Sequence, residues 1–439
     1  MKTKITTTLL LFLFIQIGFG QNLTGIEQKA SNFSTALTSG NFSDAIIDFS
    51  EAVATQIDAE KLAEIWDQLE AQAGKFIKLD RIRSEEQDGI PITIQPVHFK
   101  NSILDLKLAF DPSETIISIL FVPHQPVVLD LVETDNFYEE VIIVNTGKNL
   151  TLRGILTLPK NKENVPAVIL VHGSGPNDMD ETLGGNKLFK DLAHGLAERG
   201  IAVLRYDKRT YAYAGKPELN TNTLTLHEET IEDAISAVDF ARKHKVIDKK
   251  NVFVLGHSLG GMSAPQIAER SKHTKGIIIM AGNARPLERL VLEQFNYLFN
   301  EDGIITAEEN TAIENYKSQL MNLEALKKDP NATGTLPLGM SANYWKYLVA
   351  YNQVETAKNL NKPILVLQGE RDYQVTMEDY QIWKNAIGDQ ADVVFHSYSK
   401  LNHMMREGSG ACYPSEYQIK SNLPDYLVRD IALWILPGI

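Results

Sequence analysis

The order of apolar and polar positions divides the chain into a helical stretch, a strand-rich stretch and a long alternating stretch. Between Gly25 and Gly74, apolar residues recur with the spacing of three helices. Strand patterns follow at 76–81, 92–99, 103–110 and 116–121. Helices first and strands afterwards predict a small N-terminal α+β domain over residues 21–122. Pro96 lies in the second strand, which is therefore expected at the edge of its sheet.

From Val141 onward, strand patterns alternate with helix patterns, which is typical of an α/β domain with a mostly parallel sheet. Two early strands, 141–145 and 152–158, are expected at an antiparallel edge. The strands after them are nearly continuous apolar runs, as expected when helices cover both faces of a sheet. They lie at 167–171, 201–204, 252–255, 276–280 and 364–367, and a last strand follows at 393–398. We place this domain at 140–439 and a linker at 123–139.

One segment, 285–358, interrupts the alternation with helical patterns and no strand. Because it lies between two core strands, it is predicted to be a helical cap over an active site, with a decorative insertion as the alternative.

The first twenty residues differ from the rest. Lys2 and Lys4 precede an apolar run from Leu9 to Ile17, and small residues follow at Gly18 and Gly20. This pattern predicts a cleaved secretory signal peptide over residues 1–20, and hence a secreted or periplasmic protein. The apolar run is short for a membrane anchor, although an uncleaved N-terminal anchor is the alternative interpretation.

Charge and composition narrow the range of partners. The formal net charge of -13 argues against nucleic acid and against an anionic membrane surface, since both bind basic patches. Cys412 is the only cysteine, so no internal disulfide framework is expected, and this thiol is interpreted as buried or incidental. Because metal-ligand spacings, dinucleotide fingerprints and Walker loops are missing from the sequence, we expect neither metal nor cofactor.

The strongest chemical signal is the run from Gly256 to Gly260, with the sequence GHSLG, directly after an apolar strand and before a helical pattern. G-x-S-x-G in this context predicts a nucleophile elbow, in which a strained turn exposes the hydroxyl of Ser258. The glycines avoid clashes that side chains would cause.

A serine hydroxyl needs a base and an acid that orients the base, and at such an elbow these follow in the order Ser, acid, His. Asp372 and His403 meet this order, and each follows a predicted strand. Glu370 remains an alternative acid. His396 falls inside a strand and is interpreted as structural, whereas His257 is interpreted as a positioning residue.

Two further segments follow predicted strands at the same edge of the sheet. The turn 172–176, HGSGP, is predicted to supply the backbone amide of Ser174 to an oxyanion hole, together with the amide of Leu259. An ordinary glycine-rich turn is the alternative. The loop 205–209, RYDKR, either packs structurally, which we favour, or orients an anionic substrate group.

These motifs resemble the α/β-hydrolase superfamily over residues 140–439. The HGSGP turn, the RYDKR loop and the GHSLGG elbow are similar to exported bacterial esterases related to the dienelactone hydrolase and prolyl oligopeptidase-like groups. Some of those proteins carry an N-terminal domain of unknown function, which residues 27–121 resemble. The resemblance implies an α/β-hydrolase fold and hydrolysis of carboxylic esters with short acyl groups.

The sequence thus favours a serine carboxylesterase acting on a small-molecule ester. A serine peptidase with the same triad is the first alternative, although no propeller-sized domain is evident to gate peptides. A binding protein that has kept the hydrolase fold is the second. Homo-oligomerisation stays open, and we interpret the N-terminal domain as serving oligomerisation or shaping the cleft.

Overall fold

The structure is a computed structural model that describes residues 25–87, 89–124, 129–147, 150–214 and 218–436. The chain forms two compact units that divide between Leu129 and Asp130. The predicted signal peptide at 1–20 lies outside the described residues. None of the described helices has the length and apolar character needed to cross a lipid bilayer.

The first unit packs helices against one face of an antiparallel sheet, as the α+β pattern predicts. Phe33, Leu62 and Trp66 from the helices share a core with Leu106 and Phe110 from the sheet. Its helices are α1 (Gly25–Thr38), α2 (Phe42–Ala45), α3 (Glu51–Ala54) and α4 (Ala59–Ala73). Its strands are β1 (Phe76–Leu79), β2 (Arg83–Gln87), β3 (Ile90–Phe99), β4 (Ile103–Phe110) and β5 (Ile116–Pro123). Between Gly25 and Gly74 the structure has four helices where three were expected. The reason is that α2 and α3 span only one turn each, which is too short to produce a periodic apolar pattern.

The position of Pro96 corrects the edge-strand prediction. β3 is an interior strand that pairs with β4 on one side and with β1 and β2 on the other. The carbonyl of Pro96 accepts a hydrogen bond from the amide of Asp80, so the imino nitrogen points to the same side. On that side β1 pairs with β3 only as far as Val97, and the pairing of β2 begins opposite Ile94. The missing N–H therefore falls in the gap between two short strands.

The predicted linker 123–139 is also too long. β6 begins at Phe137, whose ring is 2% exposed and lies 4.8 Å from the ring of His194. Polar residues surround Phe137 in the sequence, so the apolar pattern does not show that the strand begins at this buried aromatic residue.

The second unit is built on an eight-stranded sheet in the order β15-β14-β13-β12-β8-β11-β7-β6. Strands from β8 onward in this sheet run parallel, and β6 and β7 form the antiparallel edge, as predicted. They are β6 (Phe137–Asn145), β7 (Thr151–Pro159), β8 (Val165–Val171), β11 (Ala202–Tyr206), β12 (Ile247–His257), β13 (Ile277–Met280), β14 (Ile364–Gly369) and β15 (Val393–Tyr398). A two-stranded hairpin adds β9 (Thr182–Leu183) and β10 (Asn186–Lys187).

Helices cover both faces of this sheet, which explains why its central strands contain buried apolar runs. They are α5 (Leu188–Glu198), α6 (Arg209–Ala212), α7 (Asp233–Ala241), α8 (Leu259–Arg270), α13 (Met377–Ile387) and α14 (Asp425–Ile435), with a π-helix at His227–Glu232 and a 3-10 turn at Pro414–Gln418. The segment between β13 and β14 contains α9 (Leu287–Phe299), α10 (Ala307–Lys328), α11 (Ala342–Ala350) and α12 (Gln353–Lys358), with a 3-10 turn at Pro337–Gly339. This segment is helical, as predicted for 285–358.

Candidate active site

Ser258 lies on a strained turn between β12 and α8. Its φ and ψ of 53° and -117° belong to a region that residues with a side chain rarely adopt. The backbone next to this turn excludes a side chain at position 260, because a Cβ at Gly260 would lie 2.1 Å from the carbonyl oxygen of Val171. The first turn of α8 can therefore lie this close to the end of β8 only with glycine at position 260, and the turn before it presents Ser258 at the carboxyl edge of the sheet.

Asp372 and His403 are joined by a hydrogen bond. His403 Nδ1 lies 2.7 Å from Asp372 Oδ2, and both side chains are buried. Asp372 Oδ1 accepts from the backbone amides of Gln374 and Val375, and Gln368 Nε2 donates to Oδ2 at 3.1 Å. Four donors thus hold the carboxylate. Because a carboxylate accepts, Nδ1 of His403 carries a proton, and the neutral tautomer that fits this contact has its lone pair on Nε2, as a general base requires.

His257, the residue before Ser258, contacts His403. The ring of His257 lies 4.8 Å from the ring of His403, and its Nε2 lies 3.0 Å from the His403 carbonyl oxygen. No hydrogen bond joins the Ser258 hydroxyl to His403 among the described residues. Catalytic hydrogen bonds often tighten only when substrate is bound, so the missing Ser258–His403 hydrogen bond does not argue against the pair.

The HGSGP turn lies directly against Ser258. A Cβ at Gly173 would come within 3.2 Å of Ser258 Cβ. The amide of Gly173 donates to Glu181 Oε1 at 2.6 Å, so it is not available to a substrate. Across the described part of the chain, no acceptor is found for the amides of Ser174 and Leu259. These are the two amides that the sequence predicts for an oxyanion hole.

Two side chains hold this turn from behind. Lys208 Nζ donates to the carbonyls of Gly173 and Gly175 at 2.8 and 3.0 Å. Asn177 Nδ2 lies 3.1 to 3.3 Å from three carbonyls of the same turn. Lys208, only 2% exposed, also forms an ion pair with Glu229, which accepts a hydrogen bond from Tyr344 on α11. Tyr344 of the helical segment 285–358 is therefore connected to the HGSGP turn through Glu229 and Lys208.

The remaining charges of the RYDKR loop have structural partners. Arg205 is buried between Asp180 and Glu139, and Arg209 pairs with Asp233. Burial alone would raise the pKa of Glu139, but the His194 hydrogen bond and the Arg205 charge bring it down to about 2. These contacts agree with the structural interpretation of the loop and leave no guanidinium facing a substrate.

The rival residues lie apart from the site. Glu370 is exposed and accepts a hydrogen bond from Ser397 instead of meeting His403. His396 lies on β15, with its ring 6.4 Å from that of Tyr398. Cys412 is buried, and burial raises the pKa of its thiol to about 12, so it is not a reactive thiolate.

The helical segment 285–358 contacts the neighbourhood of Asp372 and of Ser258. On α9, Tyr297 stacks on Tyr373, which follows Asp372, with ring centroids 4.9 Å apart. On α11, Tyr347 donates to Gln266 of the helix that follows Ser258, at 2.9 Å. The segment therefore packs beside both residues, and its role as a cap stays a prediction.

Three functional contacts escape sequence reasoning: those of Glu181, Lys208 and Gln368. Lys208 lay in a segment of uncertain role, and Gln368 ends a strand like any polar residue. Glu181, eight residues after Gly173 and at φ 49°, carries no motif. An acidic residue shortly after the HGSGP turn was the only available signal. Within the described residues, no three His, Cys, Asp or Glu side chains cluster as metal ligands would.

The mostly parallel sheet, the serine on its strand-to-helix turn and the hydrogen-bonded His403 and Asp372 define an α/β-hydrolase. A family model described as serine aminopeptidase, S33, matches residues 162–407. The chain belongs to this family, and the resemblance to α/β-hydrolases is confirmed. A second model, described as a protein of unknown function (DUF3887), matches residues 30–119 in the N-terminal unit.

The chain is also similar to individual proteins. It is 36% identical to the esterase EstD of Thermotoga maritima over 439 residues, which cover 99% of this chain and 100% of EstD. Among solved structures, Est1E from Butyrivibrio proteoclasticus matches at 16% identity and a TM-score of 0.45, covering 68% of this chain and 99% of Est1E. A Pyrobaculum calidifontis esterase matches at 15% identity and a TM-score of 0.43, covering 68% of this chain and 84% of that one.

Proposed function

We propose that this chain is a serine carboxylesterase in which Ser258 is the nucleophile, His403 the base and Asp372 the acid. The observation that carries the proposal is the Asp372–His403 hydrogen bond beside the strained serine turn. The full-length likeness to an esterase supports the reaction type.

The geometry suggests two-step acyl transfer. Ser258 Oγ attacks the ester carbonyl carbon while His403 Nε2 takes its proton, and the carbonyl oxygen becomes an oxyanion facing the amides of Ser174 and Leu259. As the tetrahedral intermediate collapses, His403 returns the proton to the leaving alcohol. Water activated by His403 then attacks the acyl-enzyme, and the acid leaves with Ser258 restored.

A peptidase with the same triad is the second candidate, because the family model is described as a serine aminopeptidase. Such an enzyme needs a carboxylate to bind the substrate's amino group. In the cap, Glu293 pairs with Arg285, Glu288 with Lys327, and Glu309 with the backbone of Thr306. These three carboxylates are already engaged, so a substrate amino group would have to bind another acid of the same segment, such as the exposed Glu301 or Glu308.

The proposal is tested with p-nitrophenyl esters of increasing acyl length beside aminoacyl p-nitroanilides. We expect turnover of the esters, falling as the acyl chain lengthens, and little turnover of the anilides. Preference for the anilides would instead make the chain a peptidase.

Replacing Lys208 by methionine is expected to damage both stability and rate. The substitution keeps the length of the side chain but leaves Glu229 without its cation, which should cost about 3 kcal/mol of unfolding free energy. The freed turn should also misplace the Ser174 amide and lower kcat about tenfold or more, since one oxyanion donor is worth about 10²-fold or more. Urea unfolding and ester kinetics measure the two effects.

Lys187→Met is the matched control, because that half-exposed lysine pairs with Asp180 across a solvated contact. It should cost no more than about 1 kcal/mol. Equal effects of the two substitutions would show that Lys208 does not support the turn.

We also propose that the chain is exported. The support is the charged and apolar pattern of residues 2–20. N-terminal sequencing of protein released from expressing cells should begin near Gln21, and a mature protein that begins at Met1 would contradict export with cleavage.

A further inference from the structure

A second buried acid–histidine pair lies behind the nucleophile. Glu181 and His257 are 5% and 3% exposed, and Glu181 Oε2 lies 3.1 Å from His257 Nδ1. These two atoms are off the line of a hydrogen bond, and neither has another hydrogen-bond partner. The pair has no place in the acyl-transfer steps, so its burial calls for another explanation.

The contacts of His257 fix its protons. Its Nε2 faces the carbonyl oxygen of His403, which can only accept, so Nε2 carries a proton. Its Nδ1 faces a carboxylate oxygen, and without a proton between them two acceptors would meet in a buried site. Burial is the largest single influence on the pKa of His257 and lowers it, but the charge and hydrogen bond of Glu181, the His403 carbonyl and the Asp372 charge together raise the pKa above its usual value. The pair is therefore an imidazolium and a carboxylate, neutral as a unit.

This pair joins the three segments that make the site. Glu181 Oε1 accepts from the Gly173 amide of the oxyanion turn. His257 precedes the nucleophile in the chain, and its Nε2 donates to the backbone of the His403 loop. One neutral unit thus contacts the oxyanion turn, the elbow and the base.

The other titratable groups around the pair are either neutral or paired with another residue. Burial lowers the pKa of His172 to about 4, so this neighbour is neutral near pH 7. Lys208 is paired with Glu229, and Asp372 is bound to His403. The imidazolium end of the pair faces the His403 ring at 4.8 Å, and the carboxylate lies on the far side of His257.

We propose that Glu181 and His257 are positioning residues that hold the oxyanion turn and the His403 loop in register around Ser258. The proposal rests on the proposed esterase function, in which His403 must accept a proton.

Two substitutions of Glu181 separate hydrogen bonding from charge. In Glu181→Gln, the amide oxygen still accepts from Gly173 and the amide nitrogen donates to Nδ1 of a neutral His257, so the geometry is kept. Glu181→Ala removes both contacts. We expect kcat to fall about 10²-fold in Glu181→Ala, with KM little changed, and less than about tenfold in Glu181→Gln. Glu370→Ala and Glu370→Gln, at an exposed carboxylate outside the site, should match the unsubstituted enzyme.

The comparison of the two Glu181 variants gives the readout that a merely structural role would not move. A loss of kcat at nearly constant KM in Glu181→Ala, with most of the loss recovered in Glu181→Gln, would show that the contacts of Glu181 position the oxyanion turn and the His403 loop. Equal losses of kcat in the two Glu181 variants, or a rise in KM in place of the loss of kcat, would overturn the proposal.

Nitrogen-15 NMR of the histidine rings tests the pair independently of activity. His257 should show two protonated ring nitrogens near neutral pH in the full chain and only Nε2–H in Glu181→Gln. A neutral His257 in the unsubstituted protein would overturn the charge assignment even if esters are hydrolysed. Absent ester turnover with an imidazolium at His257 would instead contradict the proposed function.

Discussion

Ser258→Ala should lower kcat for ester hydrolysis by about 10⁶-fold, because no acyl-enzyme can form without the hydroxyl. The fold should be unaffected, since alanine keeps the Cβ and meets the same backbone strain at φ 53°. Steady-state kinetics with a short-chain p-nitrophenyl ester measures the loss, and thermal unfolding verifies the fold.

Ser174→Ala is the matched control for this experiment. Ser174 is assigned its role through the backbone amide, which alanine retains, so activity should stay close to that of the unsubstituted enzyme. Ser258→Gly adds a second control, because glycine relieves the strain and should unfold at a higher temperature while remaining inactive. Substantial turnover by either Ser258 variant would remove Ser258 from the mechanism.

The parts of the site that the sequence predicts are those set by short stretches of chain. Ser258, Asp372 and His403 each follow a strand whose apolar run is visible in the sequence. Because parallel strands end at one edge of a sheet, predicting the strands also brings these residues together. The amide of Ser174 follows from the same logic at the end of β8.

The parts that escape prediction depend on contacts between distant segments. Glu181 acts through His257, which lies 76 positions later in the chain, and Lys208 acts on a turn 33 to 35 positions before it. Neither pairing leaves a local pattern. Pro96 illustrates the same limit in the fold. An interior strand tolerates this proline because two separate short strands leave a gap beside it, where the missing N–H is not needed.

Asp372→Asn should lower kcat about 10⁴-fold near neutral pH while leaving the fold intact. The structure gives the reason. Two backbone amides donate to Oδ1, so the oxygen of asparagine must take that position and its NH₂ must face His403. A donor at Nδ1 forces the other tautomer of His403, with the proton on Nε2, and that nitrogen can no longer accept from Ser258.

Glu370→Gln is the control for this variant, because Glu370 lies two residues away, is exposed and contacts Ser397 alone among its side-chain hydrogen-bond partners. It should keep nearly full activity, and NMR of the His403 ring should show the change of tautomer only in Asp372→Asn. If Glu370→Gln lost activity and Asp372→Asn kept it, the acid of the triad would be Glu370, and the hydrogen bond between Asp372 and His403 would serve the loop rather than the reaction.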